Sequence, residues 1–415
     1  MGVFFYGVFK GFGVAFRDKP LYLGTPNYLV PSFSFLYTFL EEHSMSTSKN
    51  RQRTVVDFLS NSNNFAPENH AAAQHSIGQP SHLTSMTFET NQSLVFLHGR
   101  HAYKLFKAID RYRDNTTLEG RLENAQLELE ANQSLAGDLY IGIMAVVQNP
   151  KGNLELLPYH DDFAPAEEYL VVDYVVKMRR FNTANMMYNR LFSDTLTSLD
   201  LFELGQKVAR FHKSQPTVET DMDAFTEAFC DHFQKRIIDY VHRLNCRHGM
   251  DLLIGLGSPV HRMIKDLKPL FLQRGAFFNR VHGDMDFGNI ATFNDKLVPF
   301  DAQVLFENER ENDSALDVGF LVAPLVMQGR ADLVESLITG YTSILPCNTL
   351  RQVLPIWAAY GAFIRGSSWL NRAQNMDDPR EKARLETYGY RFLIVAHRLV
   401  KGQISFEPDT TLPKF

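Results

Sequence analysis

Two different hydrophobic patterns divide the chain at about residue 178. Between residues 83 and 107, three segments with partial alternation of apolar and polar positions are separated by turn residues, which is typical of antiparallel strands. Residues 117–136 carry leucines near helical spacing among many glutamates, which predicts an amphipathic helix. Two more strand-like runs follow at 140–148 and 167–178. The pattern predicts a small α+β lobe over residues 83–178.

Beyond residue 178 the pattern becomes mostly helical. Helices are predicted over 198–213, 220–245, 258–273, 314–340, 350–371 and 380–400. Thr197 and Asp200 lie at capping-box spacing before the first of them, with Asp in place of the usual Glu or Gln. Residues 179–405 are therefore predicted to form a helical C-lobe.

The N-terminal part does not follow either pattern. Residues 45–82 are predicted to be a polar linker and lead-in, with Pro and Gly among polar residues from 60 onward. Residues 1–44 are rich in Phe, Tyr and Gly, but charged residues interrupt their apolar run before it reaches the roughly 18 residues of a membrane span. We expect 1–44 to be an extension outside the catalytic fold, and a start at Met45 would leave it untranslated.

Composition excludes several classes of protein. The 415 residues suggest two or three packed units, and a hydrophobic fraction of 45% argues against disorder. With 42 basic and 47 acidic side chains, the net charge of -5 does not suggest a nucleic-acid partner. Three cysteines without a CxxC pair favour a reducing cytoplasm. His242, Cys246 and His248 are all of types that bind metals, but without an evident fourth ligand we interpret the trio as the polar side of a helix end.

One segment in the C-terminal half carries candidate chemistry. Phosphoryl transfer requires a Lys for the phosphates, oxygen ligands for magnesium and a carboxylate near the attacking hydroxyl. In 281–301, VHGDMDFGNIATFNDKLVPFD, an Asp is followed five residues later by an Asn and then by a second Asp after a strand-like run. This spacing fits a catalytic loop and a hairpin, with Asp284 orienting or deprotonating the acceptor and Asn289 and Asp301 holding Mg²⁺. The chain has no GxxxxGK[ST] loop, which excludes a Walker-type ATP site.

The motif HGDxxxxNI followed by FD resembles the aminoglycoside phosphotransferase and choline kinase superfamily. The similarity covers roughly residues 53–400 and is greatest to uncharacterised bacterial aminoglycoside phosphotransferase family enzymes, which are often fused to a P-loop ATPase that is absent here. It extends to the segments FETNQSLVFLHGRHAYKLFK, LEANQSLAGDLYIGIMAV, VVDYVVKMRRF, LDVGFLVAPL and LPIWAAYGAFIRG. The resemblance implies a two-lobed protein-kinase-like fold with a small antiparallel-sheet N-lobe and a mostly helical C-lobe.

The resemblance also assigns residues that bind the nucleotide. Lys104 stands where the family has its phosphate-binding lysine, with Lys107 as the alternative. Glu128 stands where the family has the helix glutamate that pairs with this lysine, with Glu130 as the alternative. Residues 170–178 would line the adenine pocket, with backbone groups near Tyr174 and Val176 contacting the base. The turn at residues 90–93 replaces a glycine-rich loop and could donate amide groups to phosphate.

The combined prediction is an ATP- and Mg²⁺-dependent phosphotransferase that acts on a hydroxyl of a small molecule, an amino sugar or amino alcohol among the candidates. A nucleotide-binding regulatory pseudokinase and an AMP-transferring enzyme are the alternatives. Asp286, Val304 and Pro324 depart from the residues common in the family, so the substrate contacts are less well defined than the catalytic set. The acidic run 307–313 is interpreted as a solvated loop, with attraction of a cationic acceptor as the alternative.

Overall fold

The computed structural model describes residues 52–65, 86–90, 92–110, 114–304 and 310–407. Within them the chain separates into two compact units, with the boundary between Asn182 and Thr183. Unit 1 combines an antiparallel sheet with helices, and unit 2 is mostly helical, so the α+β class predicted from the pattern is observed. The extension 1–44 and residues 307–309 of the acidic run fall outside the described residues. Residues 311–313 of that run form a short strand in which Asp313 is fully buried, so the interpretation as a solvated loop is wrong for this part.

Unit 1 is organised around a six-stranded sheet in which every pairing is antiparallel. Its strands are β1 (Met86–Glu89), β2 (Ser93–His98), β3 (His101–Phe106), β4 (Tyr140–Gln148), β5 (Leu154–Tyr159) and β6 (Leu170–Arg179), in the order β1-β2-β3-β6-β4-β5. The sequence pattern missed β5, an edge strand whose side chains are mostly half-buried and therefore show no clean alternation.

Residues 52–65 belong to the core of unit 1, although the sequence pattern assigned them to a polar linker. Residues 52–60 form helix α1. Val55, Leu59 and Phe65 are buried and pack in one cluster with Phe96 and Leu105 of the sheet. The linker prediction is wrong for this stretch. Val55 and Leu59 are four residues apart and therefore lie on one face of the helix, and that face is buried.

Helix α2 (Leu118–Ala136) lies on the same sheet and begins after Thr117, whose hydroxyl accepts a hydrogen bond from the amide of Gly120. Arg121 in its first turn is buried against Asp173 of β6, with Nε 2.7 Å from Oδ1. Gln52 of α1 donates to the same carboxylate at 3.1 Å and to the carbonyl of Phe106 at 2.7 Å. These contacts tie α1, α2, β3 and β6 together next to the end of β3.

The described residues of unit 2 form eight helices and two pairs of short antiparallel strands. The helices are α3 (Met187–Phe192), α4 (Ser198–Ser214), α5 (Met222–Arg243), α6 (Arg247–Phe271), α7 (Ala315–Met327), α8 (Ala331–Ile344), α9 (Leu350–Gln374) and α10 (Pro379–Val400). The strands are β7 (Phe278–Arg280), β8 (Ile290–Phe293), β9 (Lys296–Pro299) and β10 (Glu311–Asp313), with β7 paired to β10 and β8 to β9.

The predicted helices of unit 2 are present, with two boundary errors. The predicted capping box of Thr197 and Asp200 at the start of α4 is observed. Helix α6 begins at Arg247 instead of 258, because Leu253 and Leu256 are fully buried and tertiary packing outweighs the low helix propensity of the glycines around them. The single helix predicted over 314–340 is two helices, since the chain turns at Gly329, which has a φ of 73°.

Candidate active site

Lys104 and Glu128 form a buried ion pair in unit 1. The Nζ atom of Lys104 on β3 lies 2.8 Å from both carboxylate oxygens of Glu128 on α2, and the two side chains are 11% and 1% exposed. The hydroxyl of Tyr140 donates to Oε1 of Glu128 at 2.9 Å. Both alternatives are placed elsewhere: Lys107 pairs with Glu89 at 2.6 Å, and Glu130 is exposed. A lysine held in this way presents its charge at a fixed point on the sheet.

The position of α2, and with it Glu128, depends on the buried Asp173. Burial raises the pKa of Asp173, while the charge of Arg121 and hydrogen bonds from Arg121, the Tyr174 amide and Gln52 oppose that rise. A carboxylate with this many donors keeps its partners in place. Arg121 also donates to the carbonyl groups of Asn115 and Thr117, which fixes the start of the helix.

Tyr174 and Val176, whose backbone groups are predicted to contact a base, both lie in strand β6 of the sheet. Strand β6 lies between β3 and β4, and Val176 pairs with Lys104 on one side and with Ile143 on the other. Tyr174 pairs with Ala145 of β4, whereas the pairing of β6 with β3 begins only at Val175. Pairing continues to Arg180, whose amide donates to the carbonyl of Arg100 at 2.7 Å. The contacts of Tyr174 and Val176 with a base stay a prediction.

Two amides of the predicted phosphate-binding turn at residues 90–93 have an acceptor within the turn. The hydroxyl oxygen of Thr90 accepts from the amide of Gln92 at 3.1 Å and from that of Ser93 at 2.8 Å. Since these two amides already have an acceptor inside the turn, they are not offered to a phosphate in this conformation.

In unit 2 the segment 281–290 forms a buried loop that is braced from within. His282 is fully buried; its Nδ1 accepts from the amide of Asp284 at 3.3 Å, so its Nε2 carries the proton and donates to the carbonyl of Phe300 at 3.1 Å. The amide of Gln303 donates in turn to the carbonyl of His282 at 2.9 Å. His282 therefore joins the loop to the chain around Asp301, which agrees with the structural role that a buried histidine usually has.

Asp317 at the start of α7 holds the front of this loop. One of its carboxylate oxygens accepts from the amide of His282 at 2.7 Å, and the other from the amide of Gly283 at 3.0 Å. His212 of α4 lies 3.0 Å from the same carboxylate. Burial alone would raise the pKa of Asp317, but the hydrogen bond and charge of His212 outweigh it and lower that pKa. A buried anion thus fixes the two residues that precede Asp284.

Asn289 and Asp301 are brought to the same end of a hairpin. Strands β8 and β9 pair Ile290 with Pro299, and the amide of Phe300 donates to the carbonyl of Asn289 at 2.8 Å. Asn289 directly precedes Ile290 of β8, and Asp301 directly follows Phe300, the first residue after β9. Asp301 has a φ of 61°, a left-handed conformation that Asp tolerates better than most residues.

The carboxamide of Asn289 is oriented by Asp284. Its Nδ2 donates to the carbonyl of Asp284 at 2.9 Å and to Oδ2 at 3.3 Å. The opposite amide orientation would place oxygen against oxygen, so the nitrogen must face Asp284. Oδ1 is then buried, and the described part of the chain offers it no hydrogen-bond partner. Buried oxygens are rarely left unsatisfied, and an amide oxygen beside carboxylates is a suitable ligand for a hard cation. The residues present therefore fit Mg²⁺.

Asp284 is held by an arginine that the sequence analysis did not identify. Nη2 of Arg365 on α9 donates to Oδ1 of Asp284 at 3.0 Å, and its Nε lies 2.7 Å from Oδ2 of Asp286. Asp286 also accepts from the hydroxyl of Tyr188 at 3.2 Å and from the amide of Gly288 at 2.8 Å. Burial and the charge of Asp286 raise the pKa of Tyr188 well above its ordinary value, so the phenol remains a donor.

Sequence reasoning missed Arg365, Asp317 and His212 because each acts through a partner distant in sequence. A signal existed for Arg365, which is the single charge within the apolar run LPIWAAYGAFIRG. An arginine inside a helix that is otherwise apolar is seldom buried unless it is paired. Within the described residues, no group of three or more His, Cys, Asp or Glu side chains could by itself hold a metal ion. Among the described helices, none combines the length and apolarity that crossing a membrane requires.

Comparison with known proteins gives distant similarities. No protein-family model matches the chain. An uncharacterized protein of Mycobacterium tuberculosis (strain ATCC 25618 / H37Rv) is 22% identical over 282 residues, which cover 67% of this chain and 53% of that protein. An uncharacterized protein of Mycobacterium bovis (strain ATCC BAA-935 / AF2122/97) matches with the same values. The chain thus spans about half the length of the curated relatives it matches.

Small-molecule kinases are among the solved structures that the chain resembles. A glucosamine kinase in complex with glucosamine, ADP and inorganic phosphate has a TM-score of 0.46 at 15% identity, covering 80% of this chain and 81% of that one. An ADP-bound aminoglycoside phosphotransferase has a TM-score of 0.39 at 13% identity, covering 81% and 99%. An ethanolamine kinase of Plasmodium vivax has a TM-score of 0.43 at 8% identity, covering 77% and 83%. These proteins are of the kinds that the sequence motifs resemble.

Proposed function

We propose that this chain is an ATP-dependent phosphotransferase that moves the γ-phosphoryl group of ATP to a hydroxyl of a small molecule. The observation that carries the proposal is the buried Asn289 carboxamide, whose nitrogen donates to Asp284 and whose oxygen has no hydrogen-bond partner among the described residues. This arrangement suits a magnesium ligand placed beside a catalytic carboxylate.

Each half of the chemistry has its own residues. Lys104, oriented by Glu128, would contact the phosphates of ATP. Asn289 and Asp301 would supply oxygens to Mg²⁺, which when bound neutralises phosphate charge. Asp284 would orient the acceptor hydroxyl and take its proton as the new O–P bond forms, while the bond from the γ-phosphorus to the bridging oxygen breaks and ADP leaves. A two-lobed, protein-kinase-like fold is part of what we propose.

The acceptor and the compartment are proposed on chemical grounds. A hydroxyl compound of the amino-sugar or amino-alcohol type is the first class to test, because the motifs resemble kinases of such molecules. Cys230, Cys246 and Cys347 are free thiols, which fits a cytoplasmic location.

The decisive experiment measures ADP release from Mg-ATP with D-glucosamine, ethanolamine and kanamycin as separate acceptors. We expect release to depend on one of these acceptors and to fall by about 10³-fold or more in Asp284→Ala, which removes the proton acceptor. Asp266→Ala, at an exposed position on α6, is the matched control and should retain activity. Binding of Mg-ATP without product from any acceptor would instead support a regulatory nucleotide-binding module.

A further inference from the structure

Arg365 occupies an unusual position for a charged side chain. It lies in the middle of α9, where its neighbours Phe363, Ile364 and Gly366 are buried, and it is itself only 2% exposed. Burying a guanidinium is costly unless the charge is compensated by partners in good geometry. The partners here are both acidic residues of the loop that carries Asp284.

The two contacts of Arg365 differ in kind. The bond from Nη2 to Oδ1 of Asp284 is a hydrogen bond of 3.0 Å between charged groups. The 2.7 Å approach of Nε to Oδ2 of Asp286 is an ion pair without hydrogen-bond alignment. The ring of Phe320 lies 6.0 Å from the guanidinium and limits its movement. One cation therefore bridges two carboxylates at different points of its planar group.

The two carboxylates that Arg365 bridges differ in their exposure to solvent. The side chain of Asp286 is 0% exposed, that of Arg365 3%, and that of Asp284 12%. Asp286 is further fixed by Tyr188 and by the amide of Gly288, so it serves as the anchor. Asp284 is the open end, with Oδ1 held by Arg365 and Oδ2 by Asn289.

We propose that Arg365 is a positioning residue that fixes the Asp284 carboxylate for phosphoryl transfer, with Asp286 as its anchor. The proposal rests on the function proposed above and deepens it. Asp286 is then the partner that makes a buried arginine at this place possible. A misplacement of about 1 Å at a reacting group can reduce a rate by about 10²-fold, so the effect should fall on the chemical step.

The test compares Arg365→Lys and Asp286→Asn with wild type in the ADP-release assay, using whichever of D-glucosamine, ethanolamine or kanamycin is turned over fastest. Lys keeps the positive charge but lacks the fork that reaches both carboxylates. We expect kcat to fall by about 10²-fold in Arg365→Lys, with KM for Mg-ATP within about threefold and the thermal midpoint almost unchanged. Arg372→Lys, on the same helix but half-buried against Trp369, is the matched control and should keep its kcat.

A chemical rescue separates positioning from a purely structural role. In Arg365→Ala, added ethylguanidinium should restore part of the lost kcat, whereas it should not accelerate wild type or Arg372→Ala. A folded Arg365→Lys variant with kcat within about threefold of wild type would overturn the positioning role while the proposed function stands. Unchanged kcat in Asp286→Asn would overturn the anchoring by Asp286. A wild-type protein that transfers no phosphate to any acceptor would overturn both proposals.

Discussion

At the scale of single residues, the candidate site is built from buried charges whose partners are fixed by hydrogen bonds. Lys104 is held by Glu128, and Asp317 by His212 and two amides. Removing one partner of such a pair leaves the other buried and uncompensated, which is far more costly than loss of an exposed pair. Single substitutions at these positions should therefore have large effects, and exposed neighbours of the same chemistry provide the controls.

Glu128→Gln is expected to weaken nucleotide-dependent turnover by about 10- to 100-fold, because the neutral amide orients Lys104 less firmly and leaves its charge uncompensated. Glu130→Gln, two residues later on the exposed side of α2, should behave as wild type. ADP release at saturating acceptor measures both. Equal losses in the two variants would contradict the role of the Lys104–Glu128 pair.

Asp301→Asn is expected to abolish most of the magnesium dependence of ATP binding. Asparagine tolerates the left-handed φ of 61° at this position, so the change removes a negative charge without adding backbone strain. Titration calorimetry of ATP with and without Mg²⁺ compares the variant with wild type, and Asp295→Asn, at a φ of 60° in the neighbouring hairpin turn, is the matched control. A wild-type response to Mg²⁺ in Asp301→Asn would exclude Asp301 as a ligand.

At the scale of elements, close packing of helices α4 and α8 brings His212 to Tyr341. Helices α4 and α8 touch at Gly205 and Gly340, where a Cβ atom would lie 2.3 Å from the carbonyl of Leu337 and 2.1 Å from that of Phe202. The hydroxyl group of Tyr341, the residue after Gly340, forms a 2.9 Å hydrogen bond with Nδ1 of His212. Only glycine permits this approach, so the crossing of two helices decides where the imidazole lies.

Gly340→Ala is expected to lower the free energy of unfolding by about 1–3 kcal/mol or more, because the backbones of α4 and α8 must separate. Gly257→Ala in α6 is the control: its added methyl group meets only the flexible end of Gln234, and alanine favours helix. Urea denaturation of both variants measures the difference. A Gly340→Ala protein as stable as Gly257→Ala would show that the helices separate without cost.

Helix α1 offers a second prediction at this scale. Leu59→Ala should lower the free energy of unfolding by about 2–5 kcal/mol, since Leu59 is fully buried in the core of unit 1. Thr54→Ala on the exposed face of the same helix should change it by less than about 0.5 kcal/mol. Denaturation with a probe in unit 1 distinguishes them, and equal stabilities would show that α1 contributes little to the core.

At the scale of the whole molecule, the lowered pKa of Asp317 predicts how stability depends on pH. A carboxylate whose folded pKa lies below its unfolded value stabilises the protein above that unfolded value, about 3.9, and loses this contribution as pH falls through the folded pKa. We therefore expect wild type to lose unfolding free energy below about pH 4. The Asp317→Asn variant should be less stable than wild type by about 3–5 kcal/mol at pH 7. It should not show the decrease in unfolding free energy below about pH 4 that protonation of Asp317 causes in wild type.

Urea denaturation between pH 3 and pH 7 tests this expectation. The difference in unfolding free energy between wild type and Asp317→Asn should narrow as the solution is acidified. A constant difference over the whole range would mean that Asp317 does not stabilise the folded state through its charge.

The sequence by itself predicted the class of the fold, most of the helices and the spacing of Asp284, Asn289 and Asp301. These features are local: hydrophobic periodicity follows from the geometry of one helix or strand, and the loop and hairpin of 281–301 lie within one short stretch. The capping box of Thr197 and Asp200 is local in the same way, and it is observed at the start of α4. Patterns of this kind survive in the sequence because neighbouring residues alone satisfy them.

Only the tertiary structure decided which distant side chains complete each group. The burial of α1 in the sheet, the engagement of Tyr174 and Val176 in strand pairing, and the bridge from Arg365 to Asp284 join residues far apart in the chain. No periodicity records such contacts, because a buried charge is stabilised by whichever partner the packing of helices delivers. The sequence therefore determined where the candidate chemistry lies, and the packing of α9 against the loop determined what holds Asp284 in place.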